Sequence, residues 1–265
     1  MLQLNRAATL AVFGGVYSNT HALDAVLAHP DVTGADRVFC LGDVGGFGPH
    51  PDRAAARLMG ARVPVVRGNY DEAIGLGLDD CACGYTDPDD RRFAQISYDY
   101  TLAHTAPQHR SWMRSLPDSI RFETGGRRVL LCHGSPRRVN EFLWESTASD
   151  AFLEWLCLDH DTDIVLCTHT GLPWHRPLAS GRHVINVGAI GRPAHEGTPG
   201  VRFAVVEIGD EVTTRFPLVP YDHEQLAREM ESEHLPAEFV TTIRTGWWTT
   251  CLENMPARER RKGPY

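Results

Sequence analysis

Four times along this chain a short apolar run ends on a single Asp, Asn or His with glycine or threonine beside it. The junctions are Leu41-Gly42-Asp43, Arg67-Gly68-Asn69, Cys132-His133-Gly134 and Cys167-Thr168-His169. An apolar run of four to six residues that stops abruptly at a polar group reads as a buried strand with its end at a site. Ala8–Phe13, Arg37–Leu41 and Val63–Arg67 read as such strands. His21–His29 and Asp52–Ala61 read as the helices between them, with Pro51 near a favoured N-terminal position. Strand, loop and helix in repetition point to an α/β fold with parallel pairing, and ligands in such sheets collect at the carboxyl ends of strands.

Farther along, Gly75–Asp99 is rich in Asp, Gly and Cys and reads as one long functional loop. Gln108–Leu116 is helical in pattern, and Ser119–Glu123 and Arg128–Cys132 form a hairpin across Gly125-Gly126. Ser149–Asp159 and Asp222–Glu233 carry apolar stripes at helical spacing. Ile164–Cys167, His183–Ile185, Arg202–Ile208 and Val212–Phe216 are the remaining strands.

With 42% hydrophobic and 23% charged residues over 265 positions, the chain can bury a sizeable core, which excludes a disordered or fibrous protein. A net charge of −8 gives no case for a nucleic-acid polymer or an anionic membrane as partner. The basic run Arg258–Lys262 reads as a solvated tail. No stretch approaches the roughly 18–20 apolar residues of a membrane span, and Met1–Gly15 is too poor for a secretory signal. Seven irregularly spaced cysteines do not make a disulfide framework, so a cytoplasmic location is expected, with thiols free, buried or metal-bound.

One carboxylate, one amide oxygen and two imidazoles are a natural mixed set for a first-row divalent ion. In the order GDVGGFGP, GNYDE, HGSPR and THT-x-x-P, with Ile185–Pro193 as a late glycine-rich loop, the chain resembles the calcineurin-like metallophosphoesterase superfamily, in particular its small bacterial and archaeal phosphodiesterase branch. The resemblance covers about residues 8–246 and leaves 247–265 as an extension packing on or near that domain. It implies a four-layer α/β/β/α sandwich with a two-metal centre at the strand ends, where a bridging hydroxide attacks phosphorus.

Three positions depart from the pattern. Gly15 and Tyr17 stand where the family's first motif carries Asp and His, and Gly171 stands where its last motif carries a second His. The resemblance assigns those three side chains to one ion, and Asp43, Asn69, His133 and His169 to the other. The expectation is therefore one divalent transition metal, Mn, Fe or Zn, in an altered site. Tyr70 replaces a histidine that assists the leaving group in relatives. Tyr17 either enters the ion's shell as a phenolate or fills the vacated volume.

Asn69, Tyr70, Asp71 and Tyr17 are then the candidate catalytic residues. Asn19, Arg137, Arg138, Arg176 and Arg192 are candidates to orient a small phosphorylated substrate, with a nucleotide as one option and a homo-oligomer left open. His50, His175 and Trp174 lie close enough in sequence to approach the site. Two further readings stand beside the phosphoesterase. One is a non-catalytic scaffold on the same fold, with an exposed apolar patch near Trp247-Trp248. The other is a mononuclear Fe(II) redox or lyase enzyme, with the Cys81/Cys83 loop nearby and Cys251 as a third thiol.

Overall fold

Alternation along the strands decides how the layers stack. In a computed structural model that describes residues 3–4 and 6–261, β1 (Gln3–Leu4), β2 (Ala8–Phe13) and β3 (Arg37–Cys40) open the chain, with α1 (Thr20–Ala28) and α2 (Pro30–Thr33) between the last two. Four helices follow: α3 (Pro51–Ala61), α4 (Asn69–Leu76), α5 (Pro88–Ala103) and α6 (Pro107–Ser115). Then come β4 (Ser119–Thr124), β5 (Arg127–Cys132), α7 (Asp150–Asp159), β6 (Ile164–Cys167), β7 (Pro173–Pro177) and β8 (His183–Val187). The chain continues through β9 (Val201–Arg202), β10 (Ala204–Ile208), β11 (Val212–Arg215) and β12 (Leu218–Val219) to α8 (His223–Ser232), α9 (Ala237–Thr245) and α10 (Ala257–Arg260).

A six-stranded sheet has the order β1-β4-β5-β6-β8-β7, and a four-stranded sheet the order β11-β10-β2-β3. Leu10, Val12, Phe39 and Val206 of the smaller sheet meet Phe122, Leu131, Leu166 and Ile185 of the larger one. The alternate residues Ala11, Phe13, Cys40 and Val205 turn outward against α1, α3 and α4. Val165, Cys167 and Val184 turn outward on the other side against Leu153, Leu156 and Cys157 of α7. A period of two along each strand thus supplies both faces. The result is the expected α/β/β/α sandwich. Pairing is parallel for β2–β3, β5–β6 and β6–β8, so the chain leaves β3, β5 and β6 at one end of the molecule.

Several expected elements differ. Val63–Arg67 is not a strand; only Val65 bridges to Cys40 at the edge of the smaller sheet. Pro64 in its middle has no N–H to continue a ladder. Gly75–Asp99 is not one loop. It begins inside α4 and ends inside α5, leaving only 77–87 irregular. The Asp87 carboxylate caps α5 by accepting from the Asp89 and Asp90 amides, and Pro88 takes the first helical position. Arg202–Ile208 breaks at Phe203, so β9 pairs with β12 and β10 with β2. Strand β7 and helix α9 were outside the expected set.

The C-terminal segment is stitched to the rest of the molecule. The Asp90 carboxylate accepts from the Cys251 and Glu253 amides, and Glu253 in turn accepts from the Thr86 and Asp87 amides. Buried Glu259 accepts from the Ser146 amide at 2.9 Å. Trp248 is buried and Trp247 half-buried, so the apolar patch expected of a scaffold is not exposed there. Lys262, the end of the basic run, lies outside the described residues. No described helix is long and apolar enough to cross a membrane.

Candidate metal centre

The loop after β3 is built around one carboxylate that never reaches the cleft. Asp71, fully buried on the first turn of α4, accepts from the Asp43 amide at 2.9 Å, the Val44 amide at 3.0 Å and the Gly68 amide at 2.9 Å. Expected as catalytic, it is a positioning residue. Its three acceptor contacts go to backbone and shape the turn that presents Asp43. Burial and the adjacent Asp43 carboxylate push Asp71 up to about 7, while the amides that surround it favour its anion. Asp43 itself has φ of 52°, and His169 φ of 65°. Left-handed backbone at two non-glycine residues is a cost that clusters at functional sites. Gly42 admits this crossing because a Cβ there would lie 2.4 Å from the Gly68 nitrogen. Asp71→Asn should therefore cost about 2–3 kcal/mol and weaken divalent-ion affinity about 10–100-fold. A denaturation curve and a metal titration on the same preparation would check it, and unchanged ion affinity would count against this role.

Asp43, His133 and His169 come from the ends of β3, β5 and β6, and each offers a ligand atom within 4.8 Å of the other two. His133 Nε2 lies 3.2 Å from Asp43 Oδ2 and 3.2 Å from His169 Nδ1. His133 Nδ1 is 2.6 Å from the Leu41 carbonyl oxygen. A carbonyl only accepts, so Nδ1 carries the proton and Nε2 keeps its lone pair for the cleft. Burial alone would depress His133; the Asp43 carboxylate and the Leu41 carbonyl outweigh it and hold it above the usual value. Burial likewise opposes ionisation of Asp43, and His133 reverses that. His169 is lowered to about 3 by burial and by its neighbour His133, so it is a neutral imidazole.

Two buried atoms here have no hydrogen-bond partner: Asn69 Oδ1 and His169 Nε2. Asn69 is otherwise fixed, its Nδ2 donating to the Cys81 carbonyl at 2.8 Å. Orphaned acceptors in a buried site are expensive, and a cation satisfies them. Asp43, His133 and His169 therefore fit one divalent ion by chemistry and by arrangement, and Asn69 offers its Oδ1 from the wall of the same cleft. Gly15, Tyr17 and Gly171 stand at the positions where the family resemblance places the ligands of a second ion. Over Gly15, a Cβ would meet the Tyr17 ring at 2.8 Å; over Gly171, it would meet the Trp248 indole at 3.2 Å. Tyr17 and Trp248 fill the space beside these two glycines. Burial raises the Tyr17 phenol well above its usual range, which favours the reading in which it fills space.

Asp43, Asn69, His169, Tyr17, Tyr70 and Arg192 line one narrow cleft with a cavity volume of about 60 Å³, below the usual range for a drug-sized ligand. Phe47, Phe93, Phe239, Tyr85, Cys83 and Cys251 complete its wall. Sequence marks Cys83 and Cys251 as thiols near the site; the four aromatic residues carry no local signal and reach the cleft through tertiary packing. Tyr70 Oη donates to Ser97 Oγ at 3.0 Å, and burial raises its phenol far above neutrality. It is held as a neutral donor, not as the proton shuttle its position suggests.

The remaining candidates are tied elsewhere. Asn19 caps α1, accepting from the Ala22 amide at 2.9 Å, and donates to the Gly191 carbonyl at 3.2 Å, so it anchors the loop that carries Arg192. Arg137 pairs with Glu141, and Arg176 with Asp150. Arg137 and Arg138 are exposed and line a second groove that His133 also borders. His50 faces Glu229, His175 faces His183, and Trp174 packs under α7. Cys81 and Cys83 form a disulfide, against the expectation of free or metal-bound thiols; the turn through Ala82 brings their Cα atoms to 5.3 Å. Cys251 is free.

Residues 10–211 match the model of the calcineurin-like phosphoesterase superfamily domain. An uncharacterized protein of Methanocaldococcus jannaschii is 24% identical over 245 residues, covering 86% of this chain and 93% of the relative. The crystal structure of a metallophosphoesterase from Sphaerobacter thermophilus superposes with a TM-score of 0.69 at 24% identity, covering 91% of this chain and 100% of that one. That of a hypothetical protein from Pyrococcus horikoshii OT3 gives 0.73 at 21%, covering 91% and 99%. At such identities the two structures speak for the fold alone.

Proposed function

The chain belongs to the calcineurin-like phosphoesterase superfamily, and on that ground we propose that it is a metal-dependent phosphoester hydrolase working from a single ion. The observation that carries this reading is the pair of orphaned buried acceptors, Asn69 Oδ1 and His169 Nε2, beside Asp43 and His133. Asp43, His133, His169 and Asn69 hold the ion. Bound there, it supplies Lewis-acid polarisation of a phosphoryl oxygen and lowers the pKa of water.

The protein's own contribution is preorganisation. His133 is locked in one tautomer by the Leu41 carbonyl, and Asp43 is aimed by the Tyr70 amide, which donates to Oδ1 at 3.1 Å. Aromatic walls from Phe47, Phe93 and Phe239 keep bulk water away from the phosphorus, which strengthens each electrostatic contact. The substrate is a small phosphoester and the working compartment the cytoplasm. Protein expressed in Mn- or Fe-supplemented medium should retain about one transition-metal ion per chain. Hydrolysis of an aryl phosphodiester should disappear with a chelator and return with the ion. Elemental analysis finding no ion, or turnover indifferent to the chelator, would refute the reading.

A further inference from the structure

One wall of the cleft carries a buried cation with nothing to neutralise it. Arg192 is 8% exposed, yet its Nε has no hydrogen-bond partner. Among the described residues Arg176 finds Asp150 and Arg202 finds Glu196, while no carboxylate pairs with Arg192. Its guanidinium lies over the Trp248 ring at 3.5 Å, with the Tyr17 ring at 5.7 Å and Phe47 at 6.0 Å. A guanidinium stays charged at any working pH, and stacking on aromatic faces offsets only part of the cost of burying it.

The position is held from several sides. Asn19 donates to the carbonyl of Gly191, and Trp248 Nε1 donates to the carbonyl of Pro193 at 2.6 Å. The Trp248 amide donates to His195 Nδ1 at 2.9 Å. The residues on either side of Arg192 are therefore tied to α1 and to the C-terminal segment. Arg192 is fixed, buried, cationic, and lines the same cleft as Asp43, Asn69 and His169.

The geometry points to Arg192 as the anchor for a tetrahedral oxyanion: its planar fork takes phosphoryl oxygens of a group that also faces the Asp43–His133–His169 cluster, and Trp248 is the platform that positions it. A guanidinium presents parallel N–H donors matched to two oxygens of one phosphoryl group. It deepens the phosphoester reading and rests on it only for the identity of the anion. Arg192 thus stacks against the same Trp248 and Tyr17 rings that lie beside Gly171 and Gly15.

The test is calorimetric titration of inorganic phosphate into the full-length, metal-supplemented protein, with the ion content of each preparation measured. Arg192→Gln should weaken phosphate binding about 10- to 100-fold with unchanged ion content. Arg192→Lys, which keeps charge but not the fork, should lose about 3- to 10-fold. Trp248→Phe, which keeps a smaller aromatic face, should fall between wild type and Arg192→Gln. If Arg192→Gln does not fold, Arg192→Lys decides. Undiminished phosphate affinity in a folded Arg192 variant overturns the anchor while a bound ion and turnover leave the hydrolase reading standing. Phosphate binding that depends on Arg192 in a protein holding no ion does the reverse.

Discussion

His133→Ala should leave the sandwich folded and the centre without its ion. Bound metal should drop from about one per chain to near zero, and phosphoester turnover at least about 100-fold. The imidazole does two things at once: Nδ1 donates to the Leu41 carbonyl and Nε2 faces Asp43 Oδ2 at 3.2 Å. Removing it takes away a ligand and leaves a buried carboxylate without the imidazole closest to it. The melting temperature should also fall, since an unpaired buried carboxylate is costly. Elemental analysis and a thermal melt on one sample separate the two effects. A His133→Ala protein that keeps its full ion content would show that the strand-end cluster is not where the ion sits.

The second large effect concerns the departures from the family pattern. Gly15→Asp combined with Gly171→His restores two of the three missing side chains in sequence, but it should not restore a second ion. The backbone is left-handed at both glycines, with φ of 52° and 75°. A Cβ at 15 would meet both the Tyr17 ring and the Ala189 methyl at 2.8 Å, and one at 171 would meet Trp248 at 3.2 Å. Overpacking and strained backbone together should cost about 3–5 kcal/mol, a fall in melting temperature of roughly 6–20 °C for a chain this size. Ion content should stay at about one. Two ions per chain with an unchanged melting temperature would mean that Tyr17 and Trp248 yield readily, and that the missing ligands alone set the stoichiometry.

Much of the centre is legible because its residues sit at junctions that sequence marks clearly. Asp43, His133 and His169 each follow an apolar run directly, and parallel strands that end together must deliver such residues to one place. The candidate substrate arginines carried no such information. Arg137 and Arg176 follow the same loops as His133 and His169 but turn to Glu141 and Asp150, because a long side chain takes the nearest acid. Asn19, expected to orient substrate, is spent on a helix cap and a loop carbonyl. The stretch 75–99 misled for a different reason. Its Asp and Gly residues signal irregular chain, while the Asp87-Pro88 start of α5 is a short signal inside a noisy composition.

What the chain determines by itself is the layering and the placing of one donor at each of three strand ends and one helix start, since period-two burial and abrupt polar stops are local properties. What only the tertiary structure decided is the fate of the other half of the cleft. Trp248 lies 77 residues beyond Gly171 and 56 beyond Arg192 in the chain, yet its indole covers the first and stacks on the second. No local pattern encodes that meeting. It follows from the C-terminal segment docking through Glu253 and Glu259, and volume left by absent side chains is filled by whatever the packed fold brings nearest.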